Sequence, residues 1–495
     1  MKKITYILCA AWIIVATSCS DWLNVRPEEQ FAAGEMFESY SGFCDILNGC
    51  YIKLKERGLY GEKLTMTDVE QLAALWREPS EVGLPGAREL RDFNYAGDNA
   101  KAVIEGIYAG LYNAIANANM IINNIDARAD VFPDEAARAV IAGEAYAIRA
   151  FCHFDALRLF GQLPKNPTRQ VALPYAEEVS IASLPAYRDY DAFVARIEAD
   201  LTRAEALLKN NDPLFSYTFA ELNAGADDDN FMNFRQARFN YWAACALQAR
   251  FYLYTGNTNE AYRIAKSIIE ARGVDGELLV TLSGARDITA GHLTCPSECL
   301  LMLNAYDLES YFSSVFALGS YAVMDTHHAI AQEQLNALFD GQNIASNNRY
   351  MYVWEKTSGN PTGVVFPTLK KYYSAEIIYA GLNTLLVKRQ VIPLIRLSEI
   401  YLIAMETTGS LAEANALWVE YQLSHNVLVE QDYFTSLADV RPKVLDEYRR
   451  ELFGEGQMFY AYKRVGASAM LWRVEEVAEG NYILPLPETE FNPNL

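Results

Sequence analysis

Apolar residues recur at three- and four-residue steps through most of this chain, and that spacing commits it to helices. From Val103 to Ile125 the step runs through Ile107, Leu111, Ile115, Ala118 and Ile122, which is one face of a helix. Pro133, Asp134 and Glu135 open a second helix as an N-terminal turn does. It reaches about Phe160 and stops at Gly161, with Pro164 just beyond. Around Phe151, Phe154 and Leu157 it is apolar on nearly every side, which predicts burial. Tyr190 to Leu208 and Val440 to about Glu451 read as further amphipathic helices.

Two helical pairs are built alike. Asn233 to Thr255 and Asn259 to Ala271 are parted by Gly256; Ile395 to Thr408 and Leu411 to His425 are parted by Gly409. In both, an alanine (Ala261, Ala414) stands five residues after the glycine. This resembles the turn of a tetratricopeptide repeat, where glycine leaves the first helix and a small residue lets the second pack close. A lone pair cannot bury its apolar face, so several must stack. The expectation is a mostly α fold of about four tetratricopeptide-like helix pairs with few short strands. Three stretches interrupt the pattern: 59–100, 212–230 and 273–391 mix Pro, Gly, Asn and Tyr with strand-like runs such as Glu277 to Leu282 and Cys299 to Asn304. Long insertions in a helical scaffold map to one face and often carry the ligand. The division expected is a repeat half over about 19–272, an irregular ligand-binding insertion over about 273–391 and a second repeat half over about 392–495, all one domain.

A chain of 495 residues, 51% of them hydrophobic, can bury a sizeable core. Its formal charge of -21 repels phosphate backbones and anionic lipid, which argues against nucleic acid as a partner. The start, MKKITYILCAAWIIVATSCS, has two lysines, an apolar run too short to span a bilayer, and small residues before Cys19. It resembles a bacterial lipobox, in which residues 1–18 are a signal peptide and Cys19 takes the lipid on its sulfur. Two or three acyl chains, at about 0.8 kcal/mol per buried CH₂, anchor firmly where one does not. The remaining cysteines do not fix a redox state, and Cys295 and Cys299 could close a disulfide in an oxidising envelope.

Five segments resemble the SusD/RagB family of nutrient-uptake lipoproteins. They are Cys19-Ser-Asp-Trp-Leu-Asn-Val-Arg-Pro27 (Asn24 standing where aspartate is usual), Asn117-Ala-Asn119-Met-Ile-Ile-Asn123, the long run Gly143 to Pro164, Arg396-Leu-Ser-Glu399 to Ala404, and an ending with Arg449-Arg-Glu451-Leu-Phe-Gly-Glu455-Gly456, Lys463-Arg464 and Leu484-Pro-Leu-Pro487. Met458 and Ala461 stand where that family usually has arginine and aspartate, so a local ion pair should be missing. The resemblance implies an outer-membrane, lipid-anchored, cell-surface protein that captures oligosaccharide or peptide and hands it to a TonB-dependent, SusC-like barrel. The competing expectation is a scaffold that holds a protein partner on its repeats.

No set of catalytic residues emerges. None of the five histidines lies in an H-E-x-x-H pattern, and no nucleophile elbow or phosphate loop occurs. His292, Cys295 and Cys299 lack an evident fourth metal ligand. Asp227-Asp-Asp-Asn230 offers calcium-binding oxygens but neither the glycine nor the distal glutamate of an EF-hand loop. No cofactor is expected. Arg149, Asp155, Arg396, Glu399, Arg450 and Glu451 fall on helices expected to be buried, where charges need partners, and Asn117, Asn119 and Asn123 read as hydrogen-bonding groups within the repeat. Ligand contacts are expected from aromatic rings in the irregular stretches, since a ring covers the C–H face of a sugar. The residues singled out are Trp76, Tyr306, Tyr311, Tyr350 and Trp354, with Tyr321 and Tyr352 beside them.

Overall fold

The computed structural model describes residues 36–179, 184–316, 325–356, 366–372 and 390–491. Cys19 and Tyr321 lie outside them. Ten helices carry the architecture: α1 (Tyr40–Leu54), α2 (Asp98–Asn124), α3 (Glu135–Phe160), α4 (Tyr190–Leu208), α5 (Tyr241–Thr255), α6 (Thr258–Ile269), α7 (Leu397–Thr407), α8 (Leu411–Ser424), α9 (Val440–Glu451) and α10 (Met458–Val465). From α1 to α8, each packs on the next in chain order. That makes four stacked pairs, the mostly α, repeat-like fold expected. Among the described residues the strands are short, and no helix is long and apolar enough to cross a membrane.

Local chemistry sets the helix ends. The Asp134 side chain accepts from the Ala137 N–H at 2.8 Å and starts α3. At the far end of α3, the carbonyls of Arg158 and Gly161 receive the Lys463 Nζ at 2.8 and 2.7 Å. Lys463 is fully buried, and burial holds its ammonium well below the usual lysine range. Phe151, Phe154 and Leu157 are buried, as the apolar run around them predicts. Gly256 closes α5 at φ +90°, the left-handed conformation glycine adopts without penalty. Gly409 does no such work: α7 ends at Thr408 in extended backbone. Ala261 and Ala414 are both fully buried, and the two pairs join where Lys266 Nζ meets Glu413 at 2.9 Å.

Four boundaries differ from the sequence reading. α5 begins at Tyr241, not Asn233, because residues 233–239 form an irregular, mostly buried arm that delivers Arg235 and Arg238 to Glu144 at 2.5 and 2.6 Å. Ile395 and Arg396, read as the start of a helix, instead end a strand, β2 (Val391–Arg396). It pairs antiparallel with β1 (Cys299–Asn304). α1 and α10 were not read from the sequence and appear only in the structure. Glu277 to Leu282 contributes one bridge, Arg272 to Leu278, instead of a strand. The β1–β2 pairing brings the two ends of the irregular excursion together, so 305–390 leaves and returns at one place on the helical stack.

Every charge expected to be paired is paired. Arg149 grips Asp200 in bidentate fashion at 2.7 and 2.6 Å and also reaches Asn119 at 2.9 Å. Asp155 takes Arg158 and the Tyr60 hydroxyl, Arg250 takes Glu399, and Arg450 takes Glu447. Asn119 is the buried member of its trio; Asn123 is exposed. Arg396 is the hub of the largest group: it meets Glu298, Glu451 and Glu455 at 3.2, 2.8 and 2.7 Å. Lys371 joins at Glu455 and Arg349 at Glu451 and Glu447. Met458 and Ala461 are buried without charge.

Beside this hub sits a carboxyl in a different state. Glu70 is fully buried; its Oε1 accepts the Gly456 N–H at 2.7 Å, and Oε2 has no protein partner among the described residues. Burial pushes its pKa from 4.5 up to about 8. The folded chain therefore keeps a proton that the unfolded chain gives up near its ordinary value. The stability this proton brings is fully present below pH 4.5 and is lost as pH rises to about 8. Glu70→Gln is already neutral, so its stability relative to the parent should improve by about 3 kcal/mol between pH 5 and pH 8. Urea unfolding of both proteins at the two pH values measures this; parallel pH curves would refute it.

Candidate functional site

The irregular stretches around 218–223 and 273–297 meet in a cleft of about 350 Å³, within the range of small-ligand sites. Its two walls are set by local structure. On one side Thr218 caps the short helix Phe219–Asn223 by a reciprocal pair with Glu221. On the other, the turn at Gly276, with φ +81°, folds Gly273 to Leu278 back on Ala271 and Arg272. The short helix Ala285–Thr289 and the turn Pro296–Glu298 complete the rim.

The lining is mixed. Phe219, Leu279 and Val280 give an apolar floor, and Leu278 stands 42% exposed at the edge. Asp275, Asp287, His292 and Ser297 supply polar groups. Asn223 donates one of its two amide hydrogens to Gln236 Oε1 at 3.0 Å; its Oδ1 is buried at the cleft without a protein donor among the described residues. Gln236 in turn is held by the carbonyl of Cys299 at 2.8 Å, so it fixes Asn223 from behind. A buried acceptor left unpaired costs about 1–3 kcal/mol, which a hydroxyl donor in the cleft would recover. Carboxylates and amide oxygens over an apolar floor match a molecule with many hydroxyls and an exposed C–H face.

The aromatic residues singled out in the sequence lie elsewhere. Trp76 is fully buried and gives its indole N–H to the Met66 carbonyl at 2.9 Å. Trp76 and Trp354 both stand edge-on to Phe453, with ring centres 4.8 and 4.9 Å away. Tyr311 is buried with its hydroxyl on the Gly61 carbonyl at 2.8 Å. Tyr350 lies under the Lys356 ammonium, 3.6 Å from its ring centre. All four rings are buried in the main core. Tyr306, at 73% exposure, and Tyr352, at 40%, present rings to solvent. The cleft residues were missed because single Asn and Asp residues in loops carry no periodic signal; only their membership of the irregular stretches pointed there.

Among the described residues no cluster of three or more His, Cys, Asp or Glu is placed to hold a metal. Cys295 and Cys299 are free buried thiols, and burial raises both above the usual range. Asp227 and Asp229 accept from backbone N–H groups of their own turn, at 2.9 Å each.

Residues 21–222 match a SusD-like family described as starch-binding and associating with the outer membrane. SusD-like protein P2 of Formosa agariphila is 27% identical over 198 residues, 40% of this chain and 36% of that protein. SusD-like protein P25 of the same organism is 24% identical over 259 residues, 52% of this chain and 44% of that one. The matched region thus spans less than half the length of either curated relative. A solved SusD superfamily protein from Bacteroides vulgatus superposes with a TM-score of 0.68 at 20% identity, covering 92% of this chain and 98% of that one. A laminarin-binding SusD-like protein superposes with a TM-score of 0.62 at 18% identity, with the same coverage.

Proposed function

We propose that this chain is a SusD/RagB-family protein and a glycan-binding protein of the cell surface that captures oligosaccharide in the cleft beside Asn223. The supporting observation is the unpaired Asn223 Oδ1, held rigid by Gln236 over an apolar floor. A sugar ring lies against Leu278 and Phe219, and its hydroxyls reach Asn223, Asp275 and Asp287. We further read Cys19 as the lipidated residue that tethers the protein to the outer membrane, and a TonB-dependent, SusC-like barrel as the partner that takes the cargo. The role is binding and release, not turnover.

The starch-binding description of the family and the laminarin binding of one neighbour choose the probes: α-glucan and β-glucan oligosaccharides. Calorimetry with each should detect binding, and Asn223→Ala or Asp287→Asn should weaken it about tenfold, the loss of one hydrogen bond to a charged or buried group. A second reading uses the exposed Tyr306 ring as a stacking platform. If Tyr306→Ala abolishes binding while both cleft variants bind as the parent does, the site moves to that face. Isolation of the membrane complex under mild detergent should bring a large barrel with it; recovery without one would remove the delivery role.

A further inference from the structure

The cleft beside Asn223 carries acids without cations to match them. Asp275 stands on the Gly276 turn and Asp287 on the short helix Ala285–Thr289, and both line it. Among the described residues no lysine or arginine does, and His292 is the one basic side chain there. Arg272 and Arg286 flank the same two rim elements but stay outside the lining; Arg272 spends its Nη1 on the Gly276 carbonyl at 2.8 Å. Neither aspartate enters an ion pair among the described residues. Two carboxylates facing one cavity of about 350 Å³ repel each other, and a cation between them removes that cost.

The hydrogen-bonding groups agree with the charge. Most side-chain donors in the wall are already spent. Gln236 gives its amide hydrogens to the carbonyls of Cys299 and Pro296 at 2.8 and 3.3 Å. The Thr218 hydroxyl goes to Glu221 at 2.9 Å, and the Ser297 hydroxyl shares a hydrogen bond with Ser283 at 2.9 Å. The acceptors are open. Asn223 Oδ1 is unpaired among the described residues, and Asp275 uses only Oδ1, on the Glu277 N–H at 3.0 Å. A ligand that donates fits this wall. An ammonium brings three donors and the compensating charge; a carboxylate or a sulfate brings neither.

On the reading that this cleft holds oligosaccharide, we propose that it sorts sugars by charge. It takes amino sugars first, with the ammonium between Asp275 and Asp287, and neutral sugars second, and it turns away uronic-acid and sulfated sugars. Asp275 and Asp287 set this order, while Asn223 serves the accepted sugars alike.

Three four-unit probes on one β-1,4-linked glucose backbone separate charge from shape: cellotetraose, its 2-amino counterpart and its 6-carboxylate counterpart. Titration calorimetry on the full chain at pH 6 and low salt should find the amine bound about tenfold more tightly than cellotetraose, and the carboxylate about tenfold more weakly or not at all. Both gaps should narrow as salt is raised. Asp275→Asn and Asp287→Asn should each act in opposite directions, weakening the amine most and strengthening the carboxylate; a misfolded variant strengthens nothing. Equal affinity for the three probes, or variants that weaken all three alike, would overturn the charge ordering; the glycan reading would still stand if Asn223→Ala reduces cellotetraose binding. If no probe binds, or Asn223→Ala changes nothing, the glycan reading of the cleft falls and the charge ordering falls with it.

Discussion

Arg396→Met should cost about 3–5 kcal/mol of stability, because it strands buried carboxylates instead of merely deleting a contact. Arg396 is 2% exposed and is the cation shared by Glu298, Glu451 and Glu455. Methionine fills the same space, so packing loss is small and the charge effect dominates. Lys371 and Arg349 still serve Glu455 and Glu451, but Glu298 keeps only Ser398 and the Ser283 N–H. Burial already raises the Glu298 pKa, so in the variant it is the group that takes up a proton. The folded variant then binds more protons than its unfolded chain, and its stability rises as pH falls. The deficit relative to the parent should be largest near pH 8 and smaller near pH 5. Chemical denaturation at both pH values checks this; a loss under about 1 kcal/mol at pH 8 would show that the hub contributes little net stability.

Gly456→Ala should be as damaging for a different reason. Gly456 has φ +74°, and a Cβ there would lie 1.9 Å from the Leu64 carbonyl oxygen and 2.8 Å from its carbon. Those atoms are backbone and cannot swing aside. Any shift would also pull the Gly456 N–H from Glu70, where it donates at 2.7 Å. Conformational strain alone accounts for about 1 kcal/mol; the clash should raise the total to about 3 kcal/mol or more. Gly276→Ala is the control, since Gly276 has φ +81° but nothing within 4 Å of a new Cβ. It should lose only the strain share. Equal losses in the two variants would mean that the close approach at Leu64 relaxes freely.

Much of the helical stack was readable from spacing. Tyr190–Leu208 and Val440–Glu451 end where their apolar patterns do, because each presents one face to the core and the period survives. The readings failed where burial is not one-sided. Ile395 and Arg396 were drawn into α7 because the strand Val391–Arg396 is buried along its whole length, and a fully buried strand running into a buried helix leaves no period to part the two. Residues 233–239 were drawn into α5 because nothing local announces that Arg235 and Arg238 must reach Glu144, some ninety residues earlier. The paired charges were legible as a class, though their partners were not: Arg396 finds Glu298 and Glu455 only through the β1–β2 pairing and the return of α9 and α10. For the site, aromatic content pointed at Trp76, Tyr306, Tyr311, Tyr350 and Trp354; the fold buries all of them but Tyr306. The residues that form the cleft are ordinary loop residues made special by what the fold sets opposite them.

The long-range clasps of this molecule fall late in the chain. Helices α1 to α8 can lay down in the order they are synthesised, each on its predecessor. Gly456, however, reaches back 386 positions to Glu70, and Lys463 reaches back 305 to Arg158. Closing loops of that size is slow, and their reward comes only at the end. Until α9 and α10 arrive, Glu70 and the far end of α3 lack these partners. The stack before that point is a spring without its latch, and the last short helix supplies it.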